Sequence, residues 1–318
     1  MPTSPAREAI AELPNPLGLA GIEFVEYATS RPQALGQLLE TMGFRPVARH
    51  RSREVLLYRQ GTMNIVINAH DAQRPGALAP AETPVITALA LRVRDAAAAY
   101  RRALDRGAWA VPVQVEVMEL HIPAIHGVGA SRLYFVDRWD AFAIWDVDFV
   151  PIPTVDKHPP PVAGMHWFGL VQYIGSGRMD DWCEFYRELF GFEPLPDAQR
   201  FGILPKGRIL RSPCNGFYLQ LIEPEPGSVE LEGEESLQRI GFGTPDVPSA
   251  VAALRTRGVD FVESRDLHSQ ARGALTVPAL GGVMFELVHD PEPGRAGVPA
   301  HGRTPGEGPG PAGPRPKA

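Results

Sequence analysis

The chain has 318 residues, 44% of them apolar and 21% charged, with a net charge of −6 at neutral pH. That length supports two domains or one pseudo-symmetric pair. The acidic balance, with no basic stripe interleaved with aromatics, excludes a nucleic-acid footprint, and the lack of an apolar run of about 18 residues excludes a membrane-spanning helix.

In chain order, residues 1–18 ("MPTSPAREAIAELPNPLG") read as an N-terminal extension. Glu8 and Glu12 interrupt it and no apolar signal core is present, so a cytoplasmic location is expected. Residues 19–149 follow a repeating plan. A short apolar strand, "GIEFVEYA", leads into the amphipathic helix of "RPQALGQLLETMGFRPV" (31–47), and "EVLLYRQGTMNIVIN" supplies strands with a turn between them. "ALALRVRDAAAAYRRALDRGAWAVP" (88–112) then reads strand, helix, Arg-Gly stop, strand. The Pro-rich "VPIPTVDKHPPPVAG" (150–164) reads as an extended linker.

Residues 165–290 repeat the plan: "RMDDWCEFYRELFGFEPL" (178–195) parallels 31–47, and "IGFGTPDVPSAVAALRTRGVDFVES" (240–264) parallels 88–112. Gly43 and Gly191 end the first helix of each half, where a left-handed cap suits glycine. Cys183, in a helix pattern, and Cys214, in a turn, lack disulfide-framework or zinc spacing and read as free thiols. The tail 291–318 holds 15 prolines and glycines in 28 residues, too little apolar surface to offset ordering, so disorder is expected.

Four β-α-β-β-β units thus account for residues 20–290. This arrangement resembles the vicinal oxygen chelate superfamily. The stretches "NPLGLAGIEFVEYA", "GFRPVARHRSREVLLYRQGTMNIVIN", "IPAIHGVGASRLYFVDR", "DVDFVPIP", "GRMDDWCEFYRELFGF" and "SPCNGFYLQLIEP" resemble the 4-hydroxyphenylpyruvate dioxygenase family. The resemblance implies an α+β fold of two pseudo-symmetric halves, each a pair of βαβββ modules forming a curved sheet around a cavity. It also implies a structural first half, homo-oligomeric assembly, and one Fe(II) in the second half held by two histidines and a glutamate. Such a facial triad suits non-haem oxygenases. The iron would bind a 2-oxo acid and activate O2 for decarboxylation, hydroxylation and side-chain migration.

Mapped through the flanking motifs, the family's glutamate falls on Glu286 in "MFELVHD". Its second histidine falls on Arg239 in "LQRIGFG", and its first on Gly169 in "FGLVQYIG". The family's substrate-side serine, proline and asparagine are matched by Gly207, Gln220 and Ile222, and its closing C-terminal helix by the Pro/Gly tail. Fe(II) is therefore the implied cofactor at a site where two ligand positions carry no ligand; a protein without cofactor is the alternative.

Period-two alternation sorts the strands of the second half. Phe168 and Leu170 are expected on the helix side, with Gly169, Val171 and Tyr173 inside. Tyr173, Tyr218, Gln220, Arg239 and Glu286 form the expected cavity set. A guanidinium offers only donors and stays charged, so Arg239 cannot ligate iron. Across from Glu286 it is expected to form a two-pronged pair in the region of the metal.

Three readings of that pair stand. It is a structural ion pair in an inert cavity; or an anion pocket where Arg239 holds a carboxylate and Glu286 or a tyrosine moves a proton; or part of a metal site completed by a recruited histidine. The candidates for that histidine are His166, His268 and His289, none in the ligand phase of a cavity strand, with His268 favoured because its loop can fold back. In the first half, His121 and His126 flank a proline, Asp146 takes the position matching Glu286, and Glu23 is one candidate on the first strand. "GVGAS" has no P-loop lysine, and neither a dinucleotide fingerprint nor a G-x-S-x-G elbow is present.

The functional expectations are an iron dioxygenase of this family, or a metal-independent lyase, isomerase or binder. The ligand is a small aromatic or 2-oxo acid, with no nucleic-acid or membrane partner.

Overall fold

The computed structural model describes residues 15–69, 83–112, 120–140, 142–196, 207–224, 235–263 and 272–291. The first half runs β1 (Gly21–Ala28), α1 (Pro32–Thr41), β2 (Arg45–His50), β3 (Val55–Gln60), β4 (Met63–Asn68), β5 (Val85–Arg92), α2 (Ala96–Asp105), β6 (Ala124–His126), β7 (Arg132–Val136), α3 (Ile144–Asp148) and β8 (Phe149–Pro151). The second runs β9 (His166–Tyr173), α4 (Met179–Phe190), β10 (Glu193–Pro194), β11 (Arg208–Arg211), β12 (Tyr218–Ile222), β13 (Ser236–Thr244), α5 (Val247–Arg255), β14 (Gly273–Leu275) and β15 (Phe285–His289).

The helices form for local reasons. Asp95 and Asp246 stand at the N-termini of α2 and α5 and accept hydrogen bonds from Ala98 N (2.8 Å) and Ser249 N (3.0 Å), satisfying main-chain donors the helix cannot. Gly191 closes α4 at φ 79°, the left-handed geometry that glycine adopts without a Cβ penalty. Trp182, Tyr186, Leu189 and Phe190 recur at helical spacing on α4 and are buried. They form an aromatic seam with Phe192 and Phe217 between helix and sheet.

All strands join one mixed sheet, ordered β10-β11-β12-β9-β13-β5-β1-β4-β3-β2-β8, with β15 and β14 branching from β13 and β7 and β6 branching from β5. The halves meet where Leu237 of β13 pairs with Ile86 of β5. Within each half the plan repeats: β1 and β4 are parallel neighbours, as are β9 and β12, and β5 with β7 matches β13 with β15. Val150 and Pro151, read from sequence as the start of the linker, pair with β2. The tail from residue 292 lies outside the described residues, among which no helix is long and apolar enough to cross a membrane.

A single apolar core joins the helices of both halves to one face of the sheet. The opposite face forms a cup in each half, and in the first its floor is covered by side chains. Phe24, Val66, Ala90, Val136 and Ile144 pack there with Tyr134 and Trp145. The ring of Phe24 lies 5.8 Å from Tyr134 and 5.5 Å from Trp145.

Candidate functional site

The strand register builds the second cup row by row. Glu286 pairs with Gly241, Gly241 with Gly169, and Gly169 with Tyr218, a row across four strands. The next row runs Arg239, Val171, Gln220. Because two positions of the first row are glycine, the floor lacks side chains between Glu286 and Tyr218. The space left is about 30 Å³, bordered by Tyr218, Gln220, Glu286 and the two glycines. That is room for one or two waters, an order below the roughly 300–1,000 Å³ of sites for drug-sized ligands.

Arg239 and Glu286 meet as the spacing predicts. Nε of Arg239 donates to Oε2 of Glu286 at 3.1 Å, with side-chain exposures of 1% and 6%. The contact differs from the two-pronged pair expected: Nη2 of Arg239 is buried and has no partner among the described residues. A buried donor left unmatched costs about 1–3 kcal/mol, more when charged, and calls for an explanation.

Tyr218 and Gln220 border the same space as Glu286. Burial, and then the negative charge of Asp290, push the Tyr218 phenol above its usual range, with Arg211 opposing, so the hydroxyl stays a proton donor through neutral pH. Tyr173 stands one row beyond, paired with Ile222 and Ser236, and does not border the space. His268 lies outside the described residues.

Strict alternation fails at two places between β9 and β13. Leu237 pairs with Gln172 and Arg239 with Val171, so Gln238 is an extra residue in β13. Gly241 pairs with Gly169 but Phe242 pairs with Trp167, so Phe168 is an extra residue in β9. Such a bulge re-aims its neighbours. Phe168, expected on the helix side, instead borders the cup with its ring 4.9 Å from that of Tyr218. His166, expected before the strand and out of phase, is the first residue of β9 and faces Gly243. Its imidazole lies flat there: a Cβ on Gly243 would collide with Nε2 and reach Cδ2 and Cε1 at 2.9 Å. Nδ1 of His166 is 3.0 Å from the Gly164 carbonyl and Nε2 is 3.2 Å from Oδ2 of Asp290. Sequence reasoning missed this pair. The signal was present in the glycines at 241 and 243, two positions apart on one face, where a neighbouring side chain must fill the gap. His289 is exposed, away from Glu286, as read from its phase.

The first half supplies the contrast. Asp146 does not match Glu286: it sits in α3, where its Oδ2 accepts from Ala143 N at 2.9 Å. Counting from the helix caps Asp95 and Asp246, the counterpart of Gly241 is Ala90, whose β7 partner is Tyr134. Glu23, 1% exposed, is matched on all sides, taking Nε of Arg92 at 2.6 Å, Nε1 of Trp145 at 2.7 Å and Nδ2 of Asn64 at 3.3 Å. Burial nonetheless raises its carboxyl above the usual range against the pull of Arg92. His126 lies in β6, and His121 is exposed beside a cleft of about 240 Å³ at the start of α2.

Comparison with known proteins agrees with this fold. Residues 13–150 match the model described as hydroxyphenylpyruvate dioxygenase, HPPD, N-terminal, and residues 165–297 match the glyoxalase/bleomycin resistance protein/dioxygenase superfamily. The 4-hydroxyphenylpyruvate dioxygenase of Pseudomonas sp. (strain P.J. 874) is 40% identical over 264 residues, spanning 78% of this chain and 72% of that protein. The chain belongs to the 4-hydroxyphenylpyruvate dioxygenase family. Another relative, the hemolysin VllY of Vibrio vulnificus, is 34% identical over 269 residues, spanning 80% of this chain and 75% of that one. The solved structure of a mutant 4-hydroxymandelate synthase from Streptomyces coelicolor superposes with a TM-score of 0.69 at 19% identity, over 86% of this chain and 93% of the other, which shows the shared fold.

The Fe(II) implied by the family resemblance does not fit the residues present. Of the three mapped positions only Glu286 is a carboxylate or imidazole; Gly169 has no donor, and Arg239 presents only N–H groups. No cluster of three His, Cys, Asp or Glu side chains occurs among the described residues.

Proposed function

We propose that this family member binds a small carboxylic acid in its C-terminal cup without iron, Arg239 supplying the positive charge that a metal would otherwise bring. The observation that carries this reading is Nη2 of Arg239, buried and without an acceptor while Nε of the same group holds Glu286. A carboxylate oxygen is the acceptor a guanidinium fork suits best. Glu286, the partner of Arg239, borders the cup's space together with Gln220 and Tyr218, the last as a protonated hydroxyl able to donate. The space is partly open and admits only a head of about carboxylate size, which favours, over an aromatic ring held whole, a small 2-oxo acid whose remainder extends outward. Whether the acid is turned over, as in a lyase or isomerase, or only bound turns on proton movement between Tyr218, Glu286 and the ligand.

The test joins metal analysis to ligand-dependent melting. The purified protein is expected to hold no stoichiometric iron and to show no Fe(II)-dependent oxygen uptake with 4-hydroxyphenylpyruvate. Pyruvate or glyoxylate is expected to raise its melting temperature, and Arg239→Met to remove that rise. Oxygen uptake on added Fe(II), or an unchanged ligand response in Arg239→Met, would overturn the proposal.

A further inference from the structure

The disagreement with iron reaches deeper than two missing imidazoles. An ideal Cβ built on Gly169 collides with the carbonyl oxygen of Tyr218 and stands 2.8 Å from its carbonyl carbon and 3.1 Å from its nitrogen. These are main-chain atoms of β12, which is held in parallel register with β9 from Gly169 to Tyr173. No rotamer choice relieves an overlap that begins at Cβ, because Cβ has no torsion of its own to turn. The other side is occupied as well. Gly169 pairs with Gly241, and the bulged Phe168 beside it packs its ring, tilted, against that of Tyr218. A side chain at 169 therefore has to displace one of three paired strands. Position 239 differs, because its side chain already extends from the strand to Glu286 and an imidazole is shorter than a guanidinium chain.

We infer that the main chain around Gly169, rather than the identity of the absent ligands alone, bars a three-ligand metal centre from this cup. Histidine returned to both 169 and 239 does not rebuild it. The close approach of β12 makes glycine a requirement of the strand pairing. This holds whether or not the cup binds an acid, since it depends on neither Nη2 of Arg239 nor any ligand.

The experiment uses the full chain with Arg239→His, Gly169→His, the double variant and Gly169→Ala, with Co(II) as the metal probe. Cobalt reports its ligands through visible absorption without any need for turnover. The double variant is expected to retain no cobalt above the wild-type level after desalting and to show no tetrahedral or five-coordinate band. Gly169→Ala is expected to melt below wild type, because even a methyl group meets the Tyr218 main chain. One retained equivalent of cobalt with an imidazole-type spectrum in the double variant would overturn the inference. So would a Gly169→Ala protein as stable as wild type, and that measurement decides the matter if the double variant does not fold. A pyruvate-dependent melting shift in wild type separately reports on the acid-binding proposal, so the two can fail independently.

Discussion

Removing Arg239 alone should damage the protein more than removing the whole ion pair. Arg239 and Glu286 are 1% and 6% exposed at their side chains, so Arg239→Leu takes a cationic partner from a carboxylate that stays out of water. Breaking a buried pair from one side costs about 3–5 kcal/mol. Replacing both partners by apolar groups of similar volume is often neutral or stabilising by ~1–4 kcal/mol, because two desolvation penalties vanish together. At roughly 2–4 °C per kcal/mol for a domain of about this size, the single variant should melt on the order of 10 °C below wild type. The double variant Arg239→Leu/Glu286→Leu should lie near wild type. Thermal melts of all four members of the cycle at neutral pH measure the coupling, which for groups in contact runs ~0.5–3 kcal/mol or more. A single variant as stable as the double would refute the claim that the pair is desolvated and mutually dependent.

Three further measurements concern the ligand response, a buried carboxylate of the first half and the phenols. A carboxylate at 100 times its dissociation constant should add about 2.7 kcal/mol to wild-type stability and nothing to Arg239→Met, as read by calorimetry; equal gains in both would place the ligand elsewhere. Trp145→Phe deprives buried Glu23 of a 2.7 Å donor and should cost about 1–3 kcal/mol in denaturant unfolding, while a silent change would mean Arg92 and Asn64 suffice. Burial and Glu40 push Tyr58 up to about 12, burial and Asp290 raise Tyr218, and burial raises Tyr27 and Tyr186 further. Phenols raised in the fold contribute stability that is full below the unfolded value near 10 and is lost as pH climbs through the folded values. Phenolate absorbance should therefore show delayed ionisation coinciding with alkaline unfolding; seven tyrosines all titrating near pH 10 in the folded protein would contradict this.

Much of the architecture can be read from residue order because its signals are local and occur twice. The helix of 178–195 carries apolar residues at helical spacing and a terminal glycine, and α4 forms there with Gly191 in the left-handed region. Arg239 and Glu286 are legible as cup residues because alternation runs unbroken from Arg239 to Gly241 and along β15, which sets the two in adjacent rows of one face. Phe168 and His166 are misplaced because a bulge adds one residue to one strand, which no single-strand periodicity can register. Asp146 is misassigned for a related reason. "IWDVDF" carries apolar residues at strand-like spacing, yet Asp146 serves as the acidic group in the first turn of α3. The unmatched Nη2 depends on the orientation of a guanidinium, a three-dimensional fact with no counterpart in spacing.

The two cups of one fold show why the candidate site belongs to the second. In the first, the row corresponding to Glu286, Gly241 and Gly169 is Tyr134, Ala90 and Phe24, filled by rings 5.8 Å apart and sealed by Trp145. The buried charges there are matched as well: Glu23 by Arg92, and Glu26 by Arg132 at 2.9 Å together with Asn68 and Thr87. An ion pair in such a network needs no ligand to account for it. In the second cup, Gly241 and Gly169 stand where the first has Ala90 and Phe24, and Glu286, which borders the remaining gap, is held by a guanidinium with one unmatched donor. Stability alone would favour leucine at 239 and 286, since apolar replacement of a buried pair is usually harmless and would remove the unmatched group. The carboxylic acid proposed as ligand is a group that would match that donor.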